Sequence, residues 1–448
     1  MITVKSSNTT IPVQMSNKSP WFWVPTLYFA EGIPYFIVNV ISVTMFKRLG
    51  MSNGDLAMYT SLLYLPWVIK PLWSPFVDVI RTKRWWILLM QLICTAGFAA
   101  LALSVSPDAF GLTLVIFYII AFASATHDIA ADGFYMLALD QKRQSVFVGI
   151  RSTFYRIASV FGQGVIVVLA GLLEERSGNI PHAWSMTLLI CAALFALVTL
   201  WHWRFLPKVE GDSPAEPAND GRGPEQFSRP SAGTPGGAGR IFREFGRAWK
   251  TFFQKPGVWL AIVFMLLYRL PEAFSVKMLT PFLLDPADQG GLGLTTAQSG
   301  LVYGTVGVIA LTVGGILGGL FAARQGLKKS MWPMSMALAL PCAVYLYMAL
   351  VQPSQLWIIY LCVAMDQFGY GFGFTAYMLY MMQFSEGEFK TSHYAICTAF
   401  MALSMMLPGL FAGWMQEALG YVGFFIIVMV CCLATVCVTF FARQRCSS

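Results

Sequence analysis

Charge is scarce in this chain. Of its 448 residues only 12% are Asp, Glu, Lys or Arg, while 57% are hydrophobic and 15% aromatic. Soluble domains carry about a quarter charged residues, so a water-soluble globular fold is excluded. Cysteine chemistry is missing as well. The nine cysteines are scattered, mostly in apolar stretches, and no pair has metal-site or redox spacing. They read as small core hydrophobes, and neither a metal nor a cofactor is expected. Enzyme signatures are absent: there is no phosphate-binding glycine loop, no HExxH zinc pattern and no GxSxG nucleophile turn. The polar start MITVKSSNTTIPVQMSNKSP has no apolar core and does not read as a cleaved leader. The net charge of +8 comes from Lys and Arg spread over short loops rather than one face, so no nucleic-acid partner is expected.

What the chain does have is long apolar runs, of roughly 20 residues or more, the length a helix needs to cross a ~30 Å hydrocarbon layer. Barrel strands would show ten-residue alternation instead. The runs predict an all-α integral membrane protein with twelve spanning helices. These lie near 21–46, 56–79, 85–105, 112–138, 145–173, 183–206, 257–284, 296–322, 331–352, 355–384, 389–417 and 421–442. With the N-terminus inside, 21 Lys and Arg fall in cytoplasmic segments against 3 outside (Lys47, Arg48 and Arg176). The positive-inside rule therefore puts both ends in the cytoplasm of a multi-pass inner-membrane protein. Four parts follow: a tail over 1–20, a six-helix bundle over 21–206, a cytoplasmic linker over 207–256 and a second six-helix bundle over 257–443. The linker is rich in Pro, Gly, Ser and charge up to Gly239 and is expected to be disordered. It ends in RIFREFGRAWKTFF, where Ile241, Phe242, Phe245, Trp249 and Phe252 recur at helical spacing opposite Arg243, Arg247 and Lys250. That is either a helix lying on the inner leaflet or an extension of the seventh span.

The two bundles carry traces of a repeat. At an offset of about 241–242 residues, Glu31 answers to Glu272, Tyr135-Met136-Leu137 to Tyr377-Met378-Leu379, and Arg151 to His393. Parallel halves of this kind place a substrate site between them near the midplane, the architecture of a transporter.

Ionisable residues inside the spans are the candidate site. In FASATHDIAADGFYML, beginning at Phe122, Asp128 lies ~10 residues, about 15 Å, from the cytoplasmic end of the fourth span. Asp132 is one turn nearer the cytoplasm on the same face. The fifth span brings Arg156 level with Asp128 and Arg151 level with Asp132, and Glu31 sits at a similar height. A charge at this depth faces a cavity or a partner. Such pairs either fix neighbouring helices together or bind substrate and exchange protons, since a carboxyl in a dry cavity holds its proton unless paired. His127, about 100° round the helix from Asp128, is either a core histidine or a proton relay. The second half offers Arg269 and Glu272, which can pair at i,i+3, together with Lys277 and the locally unpartnered Asp366. Lys70, between Pro66 and Pro71, either binds an anionic group or snorkels. Trp67 and Tyr155 are among the aromatics placed to stack on a substrate ring. The expected proton-coupling set is Glu31, Asp128, Asp132, Glu272 and Asp366. The expected substrate contacts are Lys70, Arg151, Arg156, Arg269, Tyr155, Trp67 and His127.

The segments PLWSPFVDVIRTKRWW and GGLFAARQGLKKS resemble the loop motif that follows the second and eighth helices in the major facilitator superfamily. The resemblance implies a cytoplasmic gate made of Asp78, Arg81, Arg84, Arg324 and Lys328. Four stretches narrow it further: FAEGIP (29–34), KPLWSPFVD (70–78), SATHDIAAD (124–132) and Tyr155-Arg156 are similar to the muropeptide-permease branch, also called the peptide–acetyl-coenzyme A transporter family. The similarity covers about 150 residues of the first half. That family includes proton-driven importers of cell-wall muropeptides, siderophore importers and acetyl-coenzyme A exporters. The resulting expectation is a monomeric proton-coupled importer of a cell-wall-derived muropeptide or amino sugar, polar and anionic, working in the lipid bilayer. The alternatives are a siderophore importer of the same family and a non-transporting membrane sensor.

Overall fold

The computed structural model describes residues 19–209, 212 and 237–444. The tail lies almost entirely outside the described residues, as does the linker from 213 to 236. Among the described residues the secondary structure is entirely helical. Long runs without a polar break form rods, named here α1 (Pro20–Arg48), α2 (Asn53–Leu62), α3 (Leu65–Val79), α4 (Lys83–Ser104), α5 (Pro107–Ala138), α6 (Val146–Ser177) and α7 (Ile180–Phe205). The second set is α8 (Gly237–Phe253), α9 (Val258–Leu284), α10 (Thr296–Gln325), α11 (Leu327–Val351), α12 (Leu356–Phe384) and α13 (Lys390–Arg443).

Local chemistry sets the ends of these rods. Ser52, Thr82 and Asn179 cap α2, α4 and α7 by accepting from the backbone N–H three residues on. Thr295 and Gln298 form a reciprocal capping box at the start of α10. Gly420, with φ 67° and ψ 174°, bends α13 at a conformation that a side chain rarely adopts. Nine helices among the described residues are long and apolar enough to cross a membrane, against the twelve expected. The difference has local causes. The expected second span is broken into α2 and α3 at Leu63-Tyr64, just before Pro66. The span α12 is diluted by Asp366, Gln367 and three glycines, and α13 counts once although it turns at Gly420.

Of the five apolar cores among the described residues, the largest lies in the first half and the next largest mainly in the second. One joins α1, α4, α5, α6 and α7, with Phe98, Phe117, Trp184 and Phe195 fully buried in it. The other joins α9, α11, α12 and α13 through Phe282, Tyr345, Phe424 and Phe425. The halves meet where glycine removes the side chain. A Cβ on Gly304 of α10 would lie 2.0 Å from the Gln163 carbonyl oxygen of α6, and one on Gly413 of α13 would lie 1.8 Å from that of Asn53. Backbones at that separation exclude any larger residue.

Both resolved ends of the chain lie on one face of the bundle, called here the terminal face. At the opposite, distal face the halves are tied by polar contacts. Lys47 Nζ is 2.5 Å from Asp285, which also accepts from Tyr421 Oη (2.6 Å) and Asn53 Nδ2 (3.1 Å). Asn53 Nδ2 is 2.7 Å from Gln416 Oε1, and Glu417 accepts from the Gly54 N–H at 2.7 Å. Glu174 accepts from Arg48 Nε (3.0 Å), Trp184 Nε1 (2.8 Å) and Thr296 Oγ1 (2.7 Å). Toward the terminal face α3 still packs along α13, and Tyr394 near the start of α13 lies within electrostatic reach of Asp132 and Arg151. Asp132 and Arg151, deep in the sequence of their helices, still keep 42% and 31% of their side-chain surface open.

The expected amphipathic helix forms as α8, a separate helix rather than an extension of α9, since Gly257 with φ 78° parts the two. Its Ile241 and Phe242 side chains lie outside the described residues. Phe252 is fully buried against Phe384, His393 and Phe400 of the second half.

Candidate functional site

The cleft is lined by helices that are broken at its level. On one side α3 follows the Leu63-Tyr64 break and carries Pro71 and Pro75 internally; on the other α9 is interrupted at Arg269, two residues before Pro271. Interrupted helices in a membrane free backbone groups that only a cavity or neighbouring side chains can satisfy.

In the first half five charged side chains converge. Lys70 Nζ is 3.5 Å from Asp128 Oδ2, and Trp67 Nε1 donates to the same oxygen at 3.1 Å. One turn on, Arg151 is 3.0 Å from Asp132 Oδ1, which also accepts from Tyr28 Oη at 3.1 Å. The Arg151 guanidinium lies 4.5 Å above the Tyr28 ring and 5.3 Å from that of Tyr135. Glu31 of α1 stands among the charges of Asp128, Asp132, Arg151 and Lys70. Its Oε2 is buried and has no hydrogen-bond partner. Three carboxyls therefore share two cations, and Glu31 is the one left without a cation of its own.

Aromatic rings line the route between the halves. Tyr35 packs edge-on against Trp67 (5.2 Å) and Tyr64 (6.5 Å), and Phe36 lies 5.7 Å from Tyr155. Arg156 reaches the other half. Its guanidinium stands beside Tyr155 and Tyr370, and it would be 3.4 Å from a Cβ on Gly315 of α10. Among the described residues Arg156 makes no ion pair. Arg269 donates to Tyr370 Oη at 2.7 Å and is 3.1 Å from Glu272. Two cations from opposite halves thus flank one phenol.

The structure brings some expected partners together and parts others. Asp132 meets Arg151, and Arg269 meets Glu272, as the spacing predicts. Asp128 does not meet Arg156. Lys70 reaches Asp128 from the proline-broken α3, while the Arg156 side chain turns across the interface. His127 is directed away from the cleft. Its Nε2 is 3.0 Å from Gln91 Nε2, and Gln91 continues to His202 and on to Thr26. That buried chain ties α4, α5, α7 and α1, so His127 is corrected from substrate contact to a core residue of the first half. Asp366 is also not unpartnered. Tyr345 Oη donates to it at 2.6 Å and Gln367 Nε2 at 3.0 Å, inside the second half and away from the shared charges.

The expected gate residues make the following contacts among the described residues. Arg84 donates to the carbonyls of Leu206 (3.2 Å) and Trp203 (2.8 Å), Arg81 lies 5.9 Å over the Trp85 ring, and the Lys328 carbonyl accepts from Arg443. Arg324 is exposed at the end of α10. The Asp78 side chain lies outside the described residues. What binds this loop instead is Asp212 of the linker, which accepts from the Lys83 N–H (2.5 Å) and the Arg84 N–H (3.0 Å). Sequence reasoning missed Asp212 because it took the linker up to Gly239 as disordered. Gln91 carries no signal in the sequence that would distinguish it from an ordinary core residue.

Two helical bundles with broken helices around shared charged residues fit a membrane transporter rather than an enzyme. The Major Facilitator Superfamily family model matches residues 26–388, and the chain belongs to that superfamily. Among named relatives, it is 22% identical over 425 residues to the anhydromuropeptide permease of Escherichia coli K12, covering 93% of this chain and 78% of that one. It is 22% identical to a putative transporter, AmpG 4, of Rickettsia conorii, covering 95% and 96%. Among solved structures, an inward-facing bacterial homologue of the human lysosomal transporter Spinster superposes with a TM-score of 0.67 at 15% identity, covering 94% and 95%.

Proposed function

We propose that the chain is a proton-coupled importer of the inner membrane whose substrate is a cell-wall-derived muropeptide or amino sugar carrying negative charge. One observation carries the coupling: the Glu31 carboxyl, with a buried unpartnered oxygen, stands between the Asp128–Lys70 and Asp132–Arg151 pairs. A carboxyl so placed takes up a proton when both cations are engaged elsewhere and releases it when one turns to it. Asp128 and Asp132 share that proton, while Glu272 and Asp366, held by their own partners, take a lesser part. Arg156 and Arg269, flanking Tyr370, meet the substrate's carboxylate or phosphate. Trp67 and Tyr155 face its rings, and Lys70 and Arg151 receive it as the acids are neutralised.

Direction follows from charge. With the terminal face in the cytoplasm, as the Lys and Arg distribution predicts, the described form is closed outside, with Asp132 and Arg151 partly open toward the inside. Both bundles rock about the midplane site, with one chain as the working unit. The names of the relatives support the substrate class.

The test is uptake by proteoliposomes with an imposed pH gradient, offering anhydromuropeptides, amino sugars and ferric siderophores. Accumulation of the first or second that collapses with the gradient is the expected result. Accumulation of siderophore alone transfers the chain to the other branch of the family. No accumulation of any labelled compound makes it a sensor.

A further inference from the structure

Lys277 lies outside every pair described above. It sits on α9 eight residues before Asp285, roughly 12 Å below the distal seal at 1.5 Å per residue. Only 5% of it is exposed. Its ammonium has three donors, and the one polar contact seen is to Thr60 Oγ1 of α2 at 3.1 Å, across the boundary between the halves. It also stands 5.5 Å from the Tyr64 ring centre. Among the described residues no carboxylate is within ion-pair distance of it.

A second group at the same spot is short of partners. Ser61 Oγ is buried and makes no hydrogen bond. Gly409 of α13 shows that the two are neighbours, since a Cβ there would lie 2.2 Å from Ser61 Oγ and 3.1 Å from Lys277 Cε. Only glycine leaves room for α2, α9 and α13 to close over the lysine. A buried ammonium with one neutral acceptor is costly unless something gained in another state offsets it. The groups it touches belong to the opposite half, so it is released from them whenever the distal seal parts.

We propose that Lys277 is an anion-recognition residue presented to the distal side and withdrawn when that side closes. This deepens the import reading and rests on it. Lys277 Nζ and Ser61 Oγ receive a substrate carboxylate from outside. Closure of α2 and α13 then replaces that carboxylate by Thr60 Oγ1, leaving the anion to Arg156 and Arg269 nearer the open face. The described form holds Lys277 in its withdrawn position.

The experiment compares an anhydromuropeptide bearing free peptide carboxylates with the same compound amidated, in proteoliposomes under an imposed pH gradient. A hydrogen bond to a charged group contributes about 1.5–3 kcal/mol, roughly a ten- to hundredfold change in affinity. Lys277→Met is therefore expected to raise KM for the acid by at least about tenfold, to leave KM for the amide unchanged, and to leave thermal stability equal or higher. An equal KM for both compounds in the unmodified protein, or an equal rise for both in the variant, overturns the proposal. If the unmodified protein takes up neither compound, it is the import reading that fails.

A second measurement needs no variant. A membrane-impermeant amine-reactive ester added outside should modify Lys277, as read by mass spectrometry, and the acid but not the amide should protect it. Failure to label, or protection by both, also overturns it.

Discussion

Glu31 and Glu272 answer to each other at the repeat offset in the sequence, yet their surroundings differ. Glu272 lies within one turn of Arg269, is 4% exposed and is closed off by Tyr370 and Phe374 around that arginine. Glu31 has no arginine on its own helix turn, and its nearest cations, Lys70 and Arg151, are already engaged with Asp128 and Asp132. One half carries a self-neutralised pair on a single helix. The other spreads three acids and two bases over four helices. A pair on one helix moves as a unit and changes nothing when the bundle rocks. A cluster spread over α1, α3, α5 and α6 changes its pairing with every small shift between them. Under the proposed coupling, a duplicated acid takes a lesser part in one half and carries the proton in the other.

The functional effect that matters most breaks the first side of that comparison. A gradient of two pH units is worth about 2.7 kcal/mol per proton, so a single coupled proton sustains roughly a hundredfold accumulation. Glu31→Gln should reduce accumulation to the external concentration while leaving exchange between equal pools and thermal stability intact. The check is labelled-substrate uptake with and without the gradient, beside a melting curve. Unchanged accumulation would move the coupling away from α1. The next effect breaks the other side. Removing one partner of a buried pair leaves an uncompensated charge and costs about 3–5 kcal/mol. Glu272→Gln should therefore melt well below the unmodified protein, and the double change Arg269→Met with Glu272→Met should recover most of the loss. A Glu272→Gln variant as stable as its parent would show that Arg269 has another counter-charge.

Much of this was legible in the chain. The class of fold follows from the apolar runs, because a bilayer leaves helices as the economical way to satisfy the backbone. The Asp132–Arg151 and Arg269–Glu272 pairs follow from depth and i,i+3 spacing. Rotation about the helix axis was the harder quantity. His127 and Asp128 are adjacent in sequence, and only the packing of α4 and α7 decides that the imidazole faces Gln91 while the carboxylate faces Lys70. Side-chain reach misled in the same way. Arg156 is level with Asp128, but six bonds of side chain carry its charge across the interface to Tyr370. The breaks at Tyr64 and Arg269 set which residues line the cleft, and proline signals for them were present at 66 and 271. The distal seal could not be read, since Asn53, Asp285 and Gln416 come from three separated loops and helix ends.

That seal gives the third prediction, of intermediate size. Asp285 receives Lys47, Asn53 and Tyr421 at once and so binds the halves together at one end only. Neutralising it by Asp285→Asn leaves Lys47 with the Asn53 Oδ1 at 2.7 Å and little else. Loss of a charged buried hydrogen bond is worth about 1–3 kcal/mol, a shift of roughly 5- to 150-fold toward forms open at the distal face. Spin labels at the exposed Ser177 and Asp288, in a cysteine-replaced background, should report a longer distance between the halves. An unchanged distance would mean that the glycine contacts, not the charges, hold that end closed.

The smallest effect concerns the connection between the halves. The linker is fastened to both: Asp212 holds the first amides of α4, while Lys255 donates to the carbonyls of Phe384 (2.5 Å) and Glu386 (2.7 Å) in the second half. Asp212 lies outside the spans. Burial pushes its carboxyl above the usual carboxylate range, and the Arg84 and Lys83 amides oppose that only in part. The folded form thus keeps this proton to higher pH than the unfolded chain does. In the window between the two values the unfolded chain binds fewer protons, so the contribution of this contact falls as pH rises through it. Asp212→Ala should remove that slope and lower stability by about 0.5–2 kcal/mol, the size of a lost helix cap. Melting curves from acid to neutral pH would test both parts. A variant that keeps the slope would assign it to a group in one of the halves and leave the linker a passive tether.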